Sequence, residues 1–148
     1  MSPLQQFLAY ATAFEQTFDD DDWSRLEPFF APEAVYEVRN ASFACRLEGP
    51  AAILAGLKRS LDGFDRRLPK RTLAVTDGPH EQGDALSIGW TATYQVGAAP
   101  PLVLRGRSTA RFCDGRIVEL ADEYPDGMDV EAASWLARHA PGADPGYT

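Results

Sequence analysis

Histidine and cysteine are scarce in this chain, two of each among 148 residues. Cys45 and Cys113 stand too far apart in the sequence for a zinc motif and could make one bridge at most. His80 falls in a loop and His139 in a late helix, so a serine or cysteine nucleophile would lack its base. Positive charge is also short: 14 Lys and Arg against 22 Asp and Glu leave a net charge of −8. A phosphate backbone attracts basic surfaces, so nucleic acid is excluded as the expected partner. No apolar run reaches about 18 residues, and no membrane-spanning helix is expected. No glycine-rich loop follows a strand and opens a helix, so no nucleotide cofactor is expected. The first ten residues, "MSPLQQFLAY", do not read as an export leader. The expectation is a cytoplasmic protein with both cysteines reduced.

What is present is ordinary globular material, 45% hydrophobic and 24% charged, enough for one domain with a real core. Phe7, Ala11, Phe14 and Phe18 recur at helical spacing behind Ser2-Pro3, an N-cap followed by proline at the first helical position. Four acids, Asp19 to Asp22, end that helix and cap a short second one carrying Trp23, Leu26 and Phe29 or Phe30. Such a run reads as a solvated turn, and no metal is expected there. "EAVYEVRNASFACRLEG" follows as two extended runs around Asn40 and Ala41. Gly49-Pro50 opens a third helix with Ile53, Leu54, Leu57 and Leu61 on one face. Extended stretches are expected over 71–77, 85–96, 102–113 and 116–124, broken by "GPHEQGD", "GAAPP" and Asp114-Gly115. A last short helix spans about 129–139, and residues 140–148 read as a flexible tail. Helix, helix, hairpin, helix and a long antiparallel meander make an α+β fold, a curved sheet wrapped around N-terminal helices.

The last strand carries an anomaly. Val118, Leu120, Asp122 and Tyr124 alternate along one side, and Glu119 and Glu123 along the other. On the preceding strand Leu102, Leu104, Gly106, Ser108, Ala110 and Phe112 form the inner side, while Arg105, Arg107 and Arg111 face outward toward the two glutamates. Asp122 is therefore inside. A buried carboxylate needs partners, and Tyr36 and Tyr124 are the nearest candidates. It serves either as a structural acid or as an acid/base group in a cavity. Trp90 and Tyr94 share a face with Leu86, Ile88 and Val96, which with Phe7, Phe14 and Phe18 suits a core or an apolar pocket for a small hydrophobic molecule. The segment 58–71 holds Lys58, Arg59, Arg66, Arg67, Lys70 and Arg71 and reads as a solvated surface, with guidance of an anionic substrate as the alternative.

"FAPEAVYEV", "LEGPAAILAGL" and "ARFCDGRIVELADEYPD", in that order and spacing, resemble the nuclear transport factor two-like superfamily, and within it the SnoaL-like polyketide cyclase and limonene epoxide hydrolase branches. The resemblance covers roughly Leu4 to Asp126 and implies a cone-shaped α+β barrel, often homodimeric through the outer face of the sheet; the domain expected spans residues 1–139. It places Asp122 where the cyclases hold an acid/base aspartate and the epoxide hydrolases a water-activating one. It matches Tyr36 to a water-binding tyrosine. Elsewhere the chain departs: Val38 replaces an asparagine, and Gly89 and Thr91, or Trp90 and Ala92, stand where an arginine and a second aspartate are needed. Phe14, Val38 and Ser108 stand where the ketosteroid isomerases have a catalytic tyrosine and two aspartates, which excludes that activity, and Ser108 also replaces the cyclases' histidine. The implied site is Asp122 and Tyr36 as catalytic pair, with Phe14, Val38, Trp90, Ser108 and Tyr124 lining the substrate pocket, and no cofactor. Two functions follow: proton transfer on a carbonyl compound of the cyclase or isomerase kind, or a non-catalytic binding module. Epoxide hydrolysis is the remaining alternative.

Overall fold

Ser2 begins the first helix as the sequence predicts. Its Oγ accepts from the Gln5 backbone N–H at 3.1 Å, and the Gln5 side chain accepts from Ser2 N–H at 2.9 Å. This reciprocal cap with Pro3 starts α1 (Pro3–Asp20). The computed structural model describes residues 1–148. Asp21 ends α1 in the left-handed conformation, its N–H on the Thr17 carbonyl at 2.8 Å. The expected second helix is instead two single 3₁₀ turns, Trp23–Arg25 and Glu27–Phe29. Pro28 supplies no N–H to continue an α-helix.

Six strands follow: β1 (Phe30–Arg39), β2 (Cys45–Glu48), β3 (Lys70–Gln82), β4 (Ala85–Gln95), β5 (Leu102–Cys113) and β6 (Arg116–Glu123). Helix α2 (Pro50–Gly63) separates β2 from β3, and α3 (Met128–His139) follows β6. The strands make one curved, unclosed sheet in the order β2-β1-β6-β5-β4-β3. Only β1 and β6 run parallel. The fold is mixed α+β, with the N-terminal helices against the inner side of the sheet. No helix is long and apolar enough to cross a membrane.

Two local readings change. β3 runs through most of "GPHEQGD", and only Gly83 and Asp84 turn the chain. Register shifts beside Asp77 absorb Gly78 and Pro79, which an edge strand tolerates because proline lacks only an N–H that no neighbour needs. Ile117 rather than Val118 joins the core cluster, together with Leu120. The register slips between Arg111 and Phe112, so strict alternation fails at that bulge.

On β5 the inner positions Leu102, Leu104, Ser108, Ala110 and Phe112 are all buried. Outside, Arg111 pairs with Glu119 at 3.1 Å, but Arg107 turns to Asp77 and Arg105 to Glu131. Within residues 140–148, expected as a flexible tail, Asp144 to Tyr147 lie along α2. Asp144 N–H donates to the Gly63 carbonyl at 2.8 Å, and Ser60 Oγ donates to the Pro145 carbonyl at 2.9 Å. Both cysteines are free.

Candidate functional site

Asp122 lies between two neighbours in the sheet, with Val38 of β1 and Ser108 of β5 as its register partners. Ser108 Oγ donates to Asp122 Oδ1 at 2.5 Å. Tyr36, two residues before Val38 and therefore on the same face of β1, donates its hydroxyl to Oδ2 at 2.5 Å. Trp90 of β4 reaches over and donates Nε1–H to Ser108 Oγ at 2.8 Å. Glycine at 106 makes that reach possible, since a Cβ there would meet the indole Cζ2 at 2.5 Å. The result is a chain of donors, Trp90 to Ser108 to Asp122, with Tyr36 closing the other carboxyl oxygen.

No cation and no backbone N–H holds this carboxyl. Burial raises its pKa above the ordinary carboxylate value; the hydroxyls of Ser108 and Tyr36 oppose the rise and do not cancel it. Burial, reinforced by the charge of Asp122, holds the Tyr36 hydroxyl well above its usual range. Tyr36 therefore stays protonated and acts as a donor.

A cavity of about 410 Å³ opens beside this group. Hydrophobic residues supply 21 of its 28 lining positions, so its few polar side chains decide what it can hold. Asp122, Tyr36, Phe14, Trp90, Ser108 and Tyr124 all line it. Tyr124 packs edge-on to Trp90 with centroids 5.9 Å apart and to Phe43 at 5.6 Å. Val38 does not line the cavity. At 2% exposure its short side chain is taken up by the core cluster.

Two contributors escape a strand-by-strand reading. Tyr147, in the segment along α2, lines the cavity with its ring 5.5 Å from that of Tyr36 and stacked on Phe43 at 6.4 Å. The available signal was the small-residue face Gly56, Ser60 and Gly63 of α2, since such a face lets another segment approach closely. A Cβ at Gly63 would meet the Asp144 carbonyl oxygen at 2.5 Å. The second contributor is the group of Arg71, Asp65 and Glu15, which joins Tyr94 in the cavity wall. The acids Asp20 and Asp21 are bound elsewhere, by Arg25 and by Lys58 and Arg66.

The SnoaL-like domain family matches residues 11–120 of the chain. No curated protein matches it. Among solved structures, TerC crystallised with polyporic acid is 17% identical with a TM-score of 0.62, over 89% of this chain and 98% of that one. An LEH-like epoxide hydrolase from M. tuberculosis is 17% identical with a TM-score of 0.60, over 91% of this chain and 92% of its own. A candidate polyketide cyclase from Xanthomonas campestris is 20% identical with a TM-score of 0.57, over 92% and 98%. At these identities the likeness is one of fold.

Proposed function

The chain belongs to the SnoaL-like domain family of the nuclear transport factor two-like superfamily, and from that premise we propose that its cavity binds a small, mostly apolar carbonyl compound on which Asp122 moves a proton. The reaction is of the cyclase or isomerase kind. One observation carries the reading: Asp122 faces an apolar cavity and is held by two hydroxyls rather than by backbone donors or a cation. A carboxylate locked by backbone N–H groups would be too weak a base; desolvation brings this one closer to a useful pKa.

Asp122 takes a proton from the carbon next to the carbonyl and returns it to the product, so no co-reactant is needed. Tyr36 and Ser108 orient the carboxyl, and Trp90 orients Ser108. As Asp122 becomes protonated, its demand for the Tyr36 hydrogen bond falls, and that hydroxyl becomes available to the developing oxyanion. Phe14, Trp90 and Tyr124 form the apolar walls. The binding-module reading keeps the pocket and makes Asp122 a contact that selects hydrogen-bonding ligands. It draws on Ser108, which stands where the resembled cyclases have a histidine.

The deciding assay is hydrogen–deuterium exchange next to the carbonyl in a panel of apolar ketones, followed by proton NMR in D₂O. Acceleration by the wild type, reduced on the order of 10²–10⁴-fold in Asp122→Asn, supports the enzyme. Binding of ketones without acceleration leaves the module. We further propose that the protein is a cytoplasmic homodimer assembled through the outer face of the sheet.

A further inference from the structure

The basic segment 58–71, from the last turns of α2 into the start of β3, divides in the fold. Lys58 and Arg66 turn to Asp21 and Asp62, and Arg67 donates to the Asp62 and Gly142 carbonyls. Of the six basic residues singled out there, Arg71 alone lines the cavity. Its side chain is 14% exposed.

Three buried or half-buried groups fix the guanidinium from behind. The Phe18 ring lies under it at 4.9 Å, Asp65 Oδ2 is 3.1 Å from Nε as a charge contact without hydrogen-bond alignment, and the Tyr94 hydroxyl holds the same Asp65 oxygen at 2.9 Å. The fork is left to Glu15 of α1. Arg71 Nη1 and Nη2 donate to Glu15 Oε2 and Oε1, each at 3.1 Å. That is the two-pronged geometry by which a guanidinium recognises any carboxylate. Glu15 is the weakly held partner, because its side chain is 46% exposed and such pairs are screened by water. Beside this bridge, the slot between α1 and β3 leaves Leu8, Leu73 and Val75 in the cavity wall and about half exposed. They are apolar surface that a bound molecule would cover.

We propose that Arg71 is the carboxylate-binding end of the cavity, and that the ligand's carboxylate replaces Glu15 on the guanidinium fork while Asp65 and Tyr94 keep that fork in place. The ligand class is then an apolar carboxylic acid with its body against Leu73 and Val75 and, if the Asp122 reading holds, its carbonyl toward Asp122. This inference rests on the cavity being a ligand site. It does not rest on catalysis. Glu15 acts as the internal stand-in that keeps Arg71 paired when the site is empty.

The test uses two probes of one shape, 1-pyrenebutyrate and 1-pyrenebutanol, followed by energy transfer from tryptophan to pyrene. Wild type should bind the acid at least tenfold more tightly than the alcohol. Glu15→Gln, at a half-exposed helix position, should tighten the acid at least threefold and leave the alcohol unchanged. Arg71→Gln should remove the preference while the alcohol still binds. If Arg71→Gln does not fold, the Glu15→Gln comparison alone decides. Equal binding of both probes by wild type, or an acid affinity indifferent to Glu15→Gln, overturns the carboxylate site and makes Arg71 a structural ion pair. Failure of both probes to bind wild type counts against the ligand cavity itself, and this inference falls with it.

Discussion

Asp122 carries a stability signature as well as a proposed chemical role. Its folded pKa lies above the unfolded value of about 3.9, because burial outweighs its two hydroxyl donors. Between those values the folded state keeps a proton that the unfolded state has released. Stability therefore falls as pH rises through that window, and it is recovered on acidification. Asp122→Asn has no such titration. Its thermal midpoint should lie above wild type at neutral pH, and the gap should close as pH falls toward 4. The surface acids Asp77 and Glu119, held low by arginines, titrate in both proteins and cancel in the difference. A gap independent of pH would show that Asp122, half-buried in the cavity wall, is not desolvated there. Gly106→Ala tests the donor chain from the other side. The new methyl meets the Trp90 indole at 2.5 Å, so the ring must move and release Ser108. Overpacking of this kind costs about 1–3 kcal/mol, read as a lower denaturation midpoint.

At the scale of elements, α2 does two jobs with two faces. Ile53, Leu57 and Leu61 pack into the core, while Gly56, Ser60 and Gly63 receive residues 144–147. That segment delivers Tyr147 to the cavity wall beside Tyr36. Ending the chain after Ala140 should cost roughly 2 kcal/mol, the contribution of one buried large side chain. It should also raise acrylamide quenching of tryptophan emission, because Trp90 lines the cavity thereby opened. Gly63→Val should reproduce both effects in the full-length chain. An unchanged midpoint and unchanged quenching in both variants would mean that the segment does not hold this position in solution.

For the whole molecule, the outer face of the sheet sets the assembly expected. Thr91, Thr93 and Val103 are half-buried there, and Arg105, Arg107 and Arg111 are already neutralised by Glu131, Asp77 and Glu119. Small side chains allow close approach, and paired charges cost less to cover than lone ones. Light scattering should give about twice the chain mass of 16.2 kDa, and Thr93→Arg should return it toward one. A wild-type monomer across micromolar concentrations removes the dimer.

Much of this architecture is local, and so it was open to a reading of the sequence alone. The Ser2-Pro3 cap, the inner face of α2 and the alternation along β5 each follow from backbone periods of 3.6 and 2 acting within a few residues. The same alternation put Asp122 on the inner side, where the structure has it. What required the tertiary structure were meetings between distant residues. Tyr36 and Asp122 are 86 positions apart, and only the parallel pairing of β1 with β6 brings them together. Ile117 joined the core cluster, and Val118 stayed buried outside it, because a bulge broke the period that predicted otherwise. Arg71 looked like one cation among six until Asp65, Tyr94 and Phe18 selected it for the cavity wall. Residues 140–148 have no periodicity to read, and the place of Asp144 to Tyr147 depends on a complementary face of α2. Periodicity is a property of one segment, whereas register and docking are set by the free energy of two surfaces meeting, which no single segment encodes.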